Sequence, residues 1–535
     1  MPKYKTIELI LTLKKWFEKN FFSIIIFVLL FSWYGVFLAK GIDLVTADLG
    51  RHLENGKLFF QNFQIPDINL YSYTYPDFPF INHHWGSGAL FFLIWKISGF
   101  AGLSFFFITL SFLTFFLFFR LAEKAIGFFY VLPIAFLVIP LLGERTEVRP
   151  EVISYLFCAI FFLIVWKYTQ EKLSSRWLYL LPVIEILWVN SHIYFLFGIG
   201  IIGAFFLEQV VKYFFKKSKQ TALKIKRAGI FLFIVSAVTI LNPYGIKAVI
   251  YPLQMLHNYG YRIVENQSVG FLINYGLDNP NLILYPIVLA LMMASFLLIA
   301  IRGRKNFSLG LFLISLTVAI AGYFAIRNFA LFAFFALFII SFNLAKGLDL
   351  EKRFSKATVG TVSVLLSIII FSLTFIAYSD RLALGSETRL GLLPKTNASA
   401  DFFKRENIKG PIFNNYDIGS YLIFHLYPQE KVFVDNRPET YPTSFFNDVY
   451  IPMQENDSVW REQLEKYNFN AIFFYLHDYT PWGQQFLISK VKDSEWAPVY
   501  ADRYAIIFVR RNDTNKEIIS RFEIPAKNFS VTNNK

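Results

Sequence analysis

Cysteine is nearly absent from this chain of 535 residues. Cys158 stands alone inside an apolar run, which excludes a disulfide framework and a cysteine-rich metal site. Charge is scarce too, at 17% of residues, against a hydrophobic fraction of 55% to which phenylalanine alone contributes 64 residues. A soluble protein of this length could not cover so much apolar surface, so the composition reads as a polytopic membrane protein. The formal charge is +14, but the basic residues sit in short clusters between apolar runs. That placement sets membrane orientation and argues against a nucleic-acid partner. No glycine-rich phosphate fingerprint follows a predicted strand, so nucleotide binding has no support. No internal repeat is evident. No small-residue cleavage site follows Phe22–Leu38, so this segment, preceded by Lys14, Lys15 and Lys19, reads as a retained signal anchor.

Long apolar runs, from 22–40 through 357–378, each approach the length a helix needs to cross a bilayer. Two shorter runs, 86–98 and 177–189, are decided by charge. Lys212, Lys216, Lys217, Lys219, Lys224, Lys226 and Arg227 form the densest basic loop, which places it in the cytoplasm. Lys167, Lys172 and Arg176 belong there as well, so 177–211 crosses twice and turns at Asn190-Ser191-His192. Counting back, the loop 41–101 is outside, and 86–98 lies along the outer surface or dips part-way in. The expectation is a mainly α polytopic membrane protein of about eleven spans over 1–379. Its N-terminus is cytoplasmic, and an extracytoplasmic α/β domain follows over 380–535.

In that tail, Gly410–Asn415 reads as a strand entry, with further strands at Lys431–Asp435, Ala471–Tyr475 and Ala505–Val509 and a helix at Trp460–Tyr467. Asp435-Asn436-Arg437-Pro438-Glu439 reads as a turn held by its own hydrogen bonds rather than as a ligand contact.

The candidate site lies just past the first span, where Asp43, Asp48, Arg51 and His52 crowd together. Ionisable groups are expensive near hydrocarbon, so such a cluster at a membrane exit points to function. Further polar groups are expected on the same side: His83 and His84 ahead of Trp85; Arg145, Glu147 and Arg149 ahead of Pro150; Asn190 and His192 at an outer turn; and Arg327 opening a late span. Each has an ordinary reading as an interfacial anchor, paired surface charge or helix cap. Together they suit an anionic head group held by paired arginine donors beside a carboxylate.

The chain resembles bacterial members of the GT-C superfamily of membrane glycosyltransferases. The resemblance rests on Asp48-Leu49-Gly50-Arg51-His52-Leu53 with Gly56, Pro66–Tyr73, Asn82-His83-His84-Trp85, Arg149-Pro150-Glu151, Trp188–His192, Leu241–Gly245, Asn415–Leu422 and Val434–Arg437. In many relatives glutamate follows the key aspartate; here it is Leu49. The resemblance implies sugar transfer from a polyprenyl-phosphate donor to a lipid, glycan or protein acceptor on the outer face of the cell membrane, among membrane lipids. Asp48 would be the catalytic base, with Asp43, Arg51, His52, His83 and His84 supporting. Arg145, Arg149 and Arg327 would bind the donor phosphate, and Asn190 and His192 would line the cavity. No cofactor is expected to be obligatory. The histidines supply ligand chemistry for a divalent metal, but no tight spacing demands one. The competing readings are a transporter or flippase of a lipid-linked or envelope substrate, and a non-catalytic envelope assembly protein.

Overall fold

The computed structural model describes residues 21–254, 259–302, 304–348, 355–382, 384–478 and 480–530. The lysines read as the flank of the first span, Lys14, Lys15 and Lys19, lie outside the described residues.

The membrane part is built from α1 (Phe21–Leu38), α2 (Leu49–Asn62), α3 (Trp85–Ile126), α4 (Phe128–Leu142), α5 (Glu151–Thr169), α6 (Leu180–Val189), α7 (Phe195–Phe215) and α8 (Lys219–Val238). It continues through α9 (Ile246–Gln254), α10 (Val269–Tyr275), α11 (Asn281–Arg302), α12 (Leu309–Phe324), α13 (Phe329–Gly347) and α14 (Lys356–Ala377). Seven helices among the described residues are long and apolar enough to cross a membrane, and α4 and α12 are shorter apolar helices. Each predicted span is occupied by a helix, including the pair α6 and α7 around the Asn190 turn. The middle of the bundle is α13. It is apolar on every face and therefore buried, with Phe332, Phe334, Phe335 and Phe338 all enclosed.

Two glycine devices shape the region around α2 and the start of α3. Gly99, at φ 63° and ψ −163°, breaks α3 into a leading helix over 85–98 and a spanning helix after it. That left-handed value costs glycine little and would strain any other residue. The short run 86–98 is thus a separate helix from the span that follows. At the crossing of α2 with α3, a Cβ on Gly56 would stand 2.3 Å from the carbonyl oxygen of Gly88. This close approach brings the His52 ring to 5.3 Å from that of His84.

The tail forms a four-stranded sheet of β1 (Ile412–Asn414), β2 (Ala471–Tyr475), β3 (Trp496–Ala501) and β4 (Ala505–Arg510) in the order β1-β2-β4-β3. β1 and β2 are parallel, and β4 is antiparallel to both β2 and β3. The predicted strand at Lys431–Asp435 is not one. It is an extended segment that bridges only Ser72 of the outer loop, with the Val432 N–H donating to Tyr71 and the Tyr73 N–H to Val432. The unpredicted strand β3 contains Pro498, beside an irregularity in its register with β4. Proline in a strand is confined to edges and bulges, and β3 is an edge.

Arg437 fastens the tail to the outer loop. Its side chain is fully buried, with Nε 2.8 Å from Asp435 Oδ1 and Nη2 2.6 Å from Asp435 Oδ2. Nη2 also donates to Asn69 at 2.8 Å, and the guanidinium lies over the rings of Tyr71 and Phe80. Asn69 in turn donates to the Thr440 carbonyl. The Asp435–Glu439 turn does hold itself together, and it also grips the loop from the membrane part.

Candidate active site

Asp48 is the N-cap of α2, and its side chain is 20% exposed. The positive end of a helix favours a carboxylate there. The Arg51 Nη2 stands 3.7 Å from Asp48 Oδ2, and the Arg149 Nη1 stands 3.5 Å from the same oxygen. Burial pushes the Asp48 carboxyl up from its ordinary range, opposed by Arg149 and Arg51. α2 is held in place by the tail: the Arg51 backbone N–H donates to the Ser420 hydroxyl at 2.9 Å.

The loop between α4 and α5 supplies the arginines. Arg149 Nε donates to Glu147 at 2.6 Å, and Nη1 lies 2.9 Å and 3.1 Å from the two carboxylate oxygens of Glu265. Arg145 donates from Nη1 to Glu265 at 2.6 Å and from Nη2 to Glu151 at 2.5 Å. These two arginines hold the Glu265 carboxyl down at about 2, against burial that would raise it. Arg327, on the 3₁₀ turn Ile326–Asn328, has a buried Nε with no hydrogen-bond partner among the described residues. Arg149 Nη2 likewise carries no hydrogen bond there.

His52, His83, His84 and His192 form one packed cluster. The rings of His83 and His84 are 3.8 Å apart, and that of His192 stacks on His84 at 5.2 Å. His192 Nδ1 pairs with the Ser154 hydroxyl at 2.8 Å, while His52 Nδ1, His83 Nε2 and His84 Nε2 are buried without partners among the described residues. Burial pushes all four downward, His83 to about 3 and His192 to about 4. The cluster is therefore uncharged at neutral pH.

Asp43 and Asn190 stand apart from this network. The Asp43 carboxylate accepts from the Val45 N–H and the Thr46 hydroxyl, which closes a local turn. Asn190 accepts from Trp85 Nε1 at 2.8 Å and donates to Leu241, so it joins the Asn190 turn to the start of α3 and the end of α8. A cavity of about 470 Å³ lies between the loops of the membrane part and the tail, lined by the chain neighbours of Asp48, Ala47 and Leu49, but not by Asp48 itself. Asp43, Thr46, Glu147, His477 and Arg503 line it.

Three carboxyls near the site carried no role in the sequence reading. Glu265 is a lone acid on a short 3₁₀ turn, Val264–Asn266, with no local pattern to mark it. Asp417 comes from the tail, and burial with neighbouring Asp478 and Asp48 pushes it up to about 7. Glu439, also from the tail, is raised by burial against the opposing pull of Arg51. Asp417 lies inside one of the motifs quoted above and Glu439 closes the Asp435–Glu439 turn, whereas Glu265 has no signal.

No protein-family model matches the chain, and no curated protein matches it by sequence. Solved structures do. The oligosaccharyltransferase AglB from Archaeoglobus fulgidus, in complex with an inhibitory peptide and a dolichol-phosphate, is 13% identical with a TM-score of 0.56, covering 90% of this chain and 73% of that one. AglB in complex with Zn and sulfate is 14% identical at a TM-score of 0.53, over 88% and 69%. ArnT from Cupriavidus metallidurans in the apo state is 11% identical at 0.52, over 92% and 98%.

One neighbour was solved in complex with zinc. Among the described residues no three His, Cys, Asp or Glu side chains are spaced to hold an ion. The space between Asp48, Glu147 and Glu265 is filled by the Arg149 guanidinium. At identities this low the likeness is one of fold: the chain shares with these membrane glycosyltransferase structures a polytopic helical membrane fold with a C-terminal domain.

Proposed function

We propose that this chain is a membrane glycosyltransferase that moves a sugar from a polyprenyl-phosphate donor to an acceptor on the outer face of the membrane. The observation that carries the reading is Asp48. It is a partly exposed carboxylate at a helix start, flanked by the guanidinium groups of Arg51 and Arg149.

An acceptor hydroxyl that reaches the partly exposed Asp48 carboxylate gives up its proton to it as general base. The freed oxygen attacks the anomeric carbon as the bond from that carbon to the donor phosphate breaks, with inversion at the sugar. The phosphate leaves with the bonding electron pair. Arg327 Nε is a buried donor left over to meet that charge, beside the Arg149 guanidinium, and preorganised donors of this kind stabilise a leaving group without reorganising. Arg145 reinforces them through Glu265. The neutral histidines and Arg51 orient the Asp48 side, and Asp43 borders the acceptor path. Lipid, glycan and protein acceptors all carry groups that fit this chemistry.

The reading makes Arg327 a phosphate ligand. In native mass spectrometry of the purified chain with polyprenyl phosphate, the wild-type protein should retain the lipid and Arg327→Gln should lose it. Equal retention would remove Arg327 from the donor site. The orientation proposed, with 41–101 and the tail outside, rests on the basic loop 212–227. In a Cys158→Ser background, an impermeant thiol reagent should label cysteines placed at the exposed Asn62 and Asn447 from outside, and not one at Lys217. Labelling at 217 would reverse the map.

A further inference from the structure

We propose that Arg149 is the resident cation of this site, a guanidinium standing where a divalent ion would have to sit. On this reading Asp48, Glu147 and Glu265 do not bind a metal in the native protein. Three carboxylates turn towards this one side chain. Glu147 is 2.6 Å from Nε, and both oxygens of Glu265 lie within 3.1 Å of Nη1. Asp48 Oδ2 is 3.5 Å from Nη1. Divalent ions take oxygen ligands at about 2.0–2.6 Å, so an ion shared by these carboxylates would overlap the guanidinium. Glu265 is further committed, because Arg145 binds its second oxygen at 2.6 Å.

Charge points the same way. Burial disfavours the Arg149 cation, yet Glu147, Glu265 and Asp48 hold its pKa above the ordinary arginine value. It stays protonated, and a second cation beside it would be repelled at short range. The planar fork of arginine also matches what it does here, since it meets several carboxylates at once. The site thus keeps the acidic groups and supplies their counter-charge from its own chain.

The inference holds whether or not the transfer reaction is the one proposed, and its test does not use that reaction. The probe is Mn²⁺, followed by electron paramagnetic resonance on the purified full-length chain at neutral pH. The wild-type protein should show no saturable Mn²⁺ site, and neither Mn²⁺ nor EDTA should move its melting temperature. Arg149→Gln, with its fold checked by thermal melting, should gain one saturable site, and adding Asp48→Asn should abolish it. A saturable wild-type site that disappears in Asp48→Asn would overturn the proposal. So would a folded Arg149→Gln that gains no site. If Arg149→Gln does not fold, the wild-type titration and its Asp48→Asn control still decide.

Discussion

Asp48→Asn should lower sugar transfer by a factor of roughly a hundred to ten thousand, the usual cost of losing a general base. The substitution keeps the size of the side chain and its capping position while removing the proton acceptor. The wild-type pH profile adds a second signature. A base must be ionised, and burial raises the Asp48 pKa above its ordinary 3.8. Activity should therefore rise with pH through a limb above the normal aspartate range, and that limb should be missing from the residual activity of Asp48→Asn. Asp43→Asn is the control. Its carboxylate closes a turn with Val45 and Thr46 and makes no contact with the arginines around Asp48, so it should cost far less. Rates of variants with matched melting temperatures check both statements, and a larger loss in Asp43→Asn would exchange their roles.

Arg437→Ala should be the most damaging single change to stability, by about 3–5 kcal/mol, because it leaves a buried carboxylate without its partner. Asp435 and Arg437 are both fully enclosed, and Asn69, Tyr71 and Phe80 of the outer loop all lean on the same guanidinium. Replacing both charges, as Asp435→Asn with Arg437→Met, should recover much of the loss, since an absent pair costs less than a broken one. Thermal melting in detergent reads the difference. Limited proteolysis should also release the tail more readily from Arg437→Ala, because the lost contacts are those that join it to the loop. A melting temperature unchanged in Arg437→Ala would show that the clamp adds nothing.

Much of the membrane part is legible in the sequence because a span is a local property. An apolar run near bilayer length becomes a helix whatever its neighbours do, and the two short runs, 86–98 and 177–189, are helical over most of their length. The break between 86–98 and the next span is made by Gly99. The tail is less legible. Lys431–Asp435 has the side chains of a strand, but its only ladder partner is Ser72, which lies in another part of the chain. β3 hides behind Pro498.

The site shows the same division. Asp48, Arg51 and His52 announce themselves by crowding one helix start. Arg145 and Arg149 are visible as outer-side cations, but not the carboxylates that engage them. Glu265 is an isolated acid in a polar stretch, and its meaning comes only from two arginines that the fold brings to it. Four histidines read from sequence as supporting or cavity-lining residues, with ligand chemistry for a metal, pack into one neutral cluster. Burial is the cause, and burial is not written locally.

Transfer of a sugar from a lipid phosphate by a base at Asp48 releases two products that can be followed together. Its most direct test supplies a polyprenyl-phosphate donor with labelled sugar to membranes containing wild-type or Asp48→Asn protein, following free polyprenyl phosphate and labelled acceptor together. The account predicts that wild-type membranes release the lipid phosphate and form a new glycosidic bond in equal amounts, and that Asp48→Asn membranes do neither at a comparable rate. Relocation of the label across the membrane with the donor intact, or equal bond formation by both proteins, would contradict it.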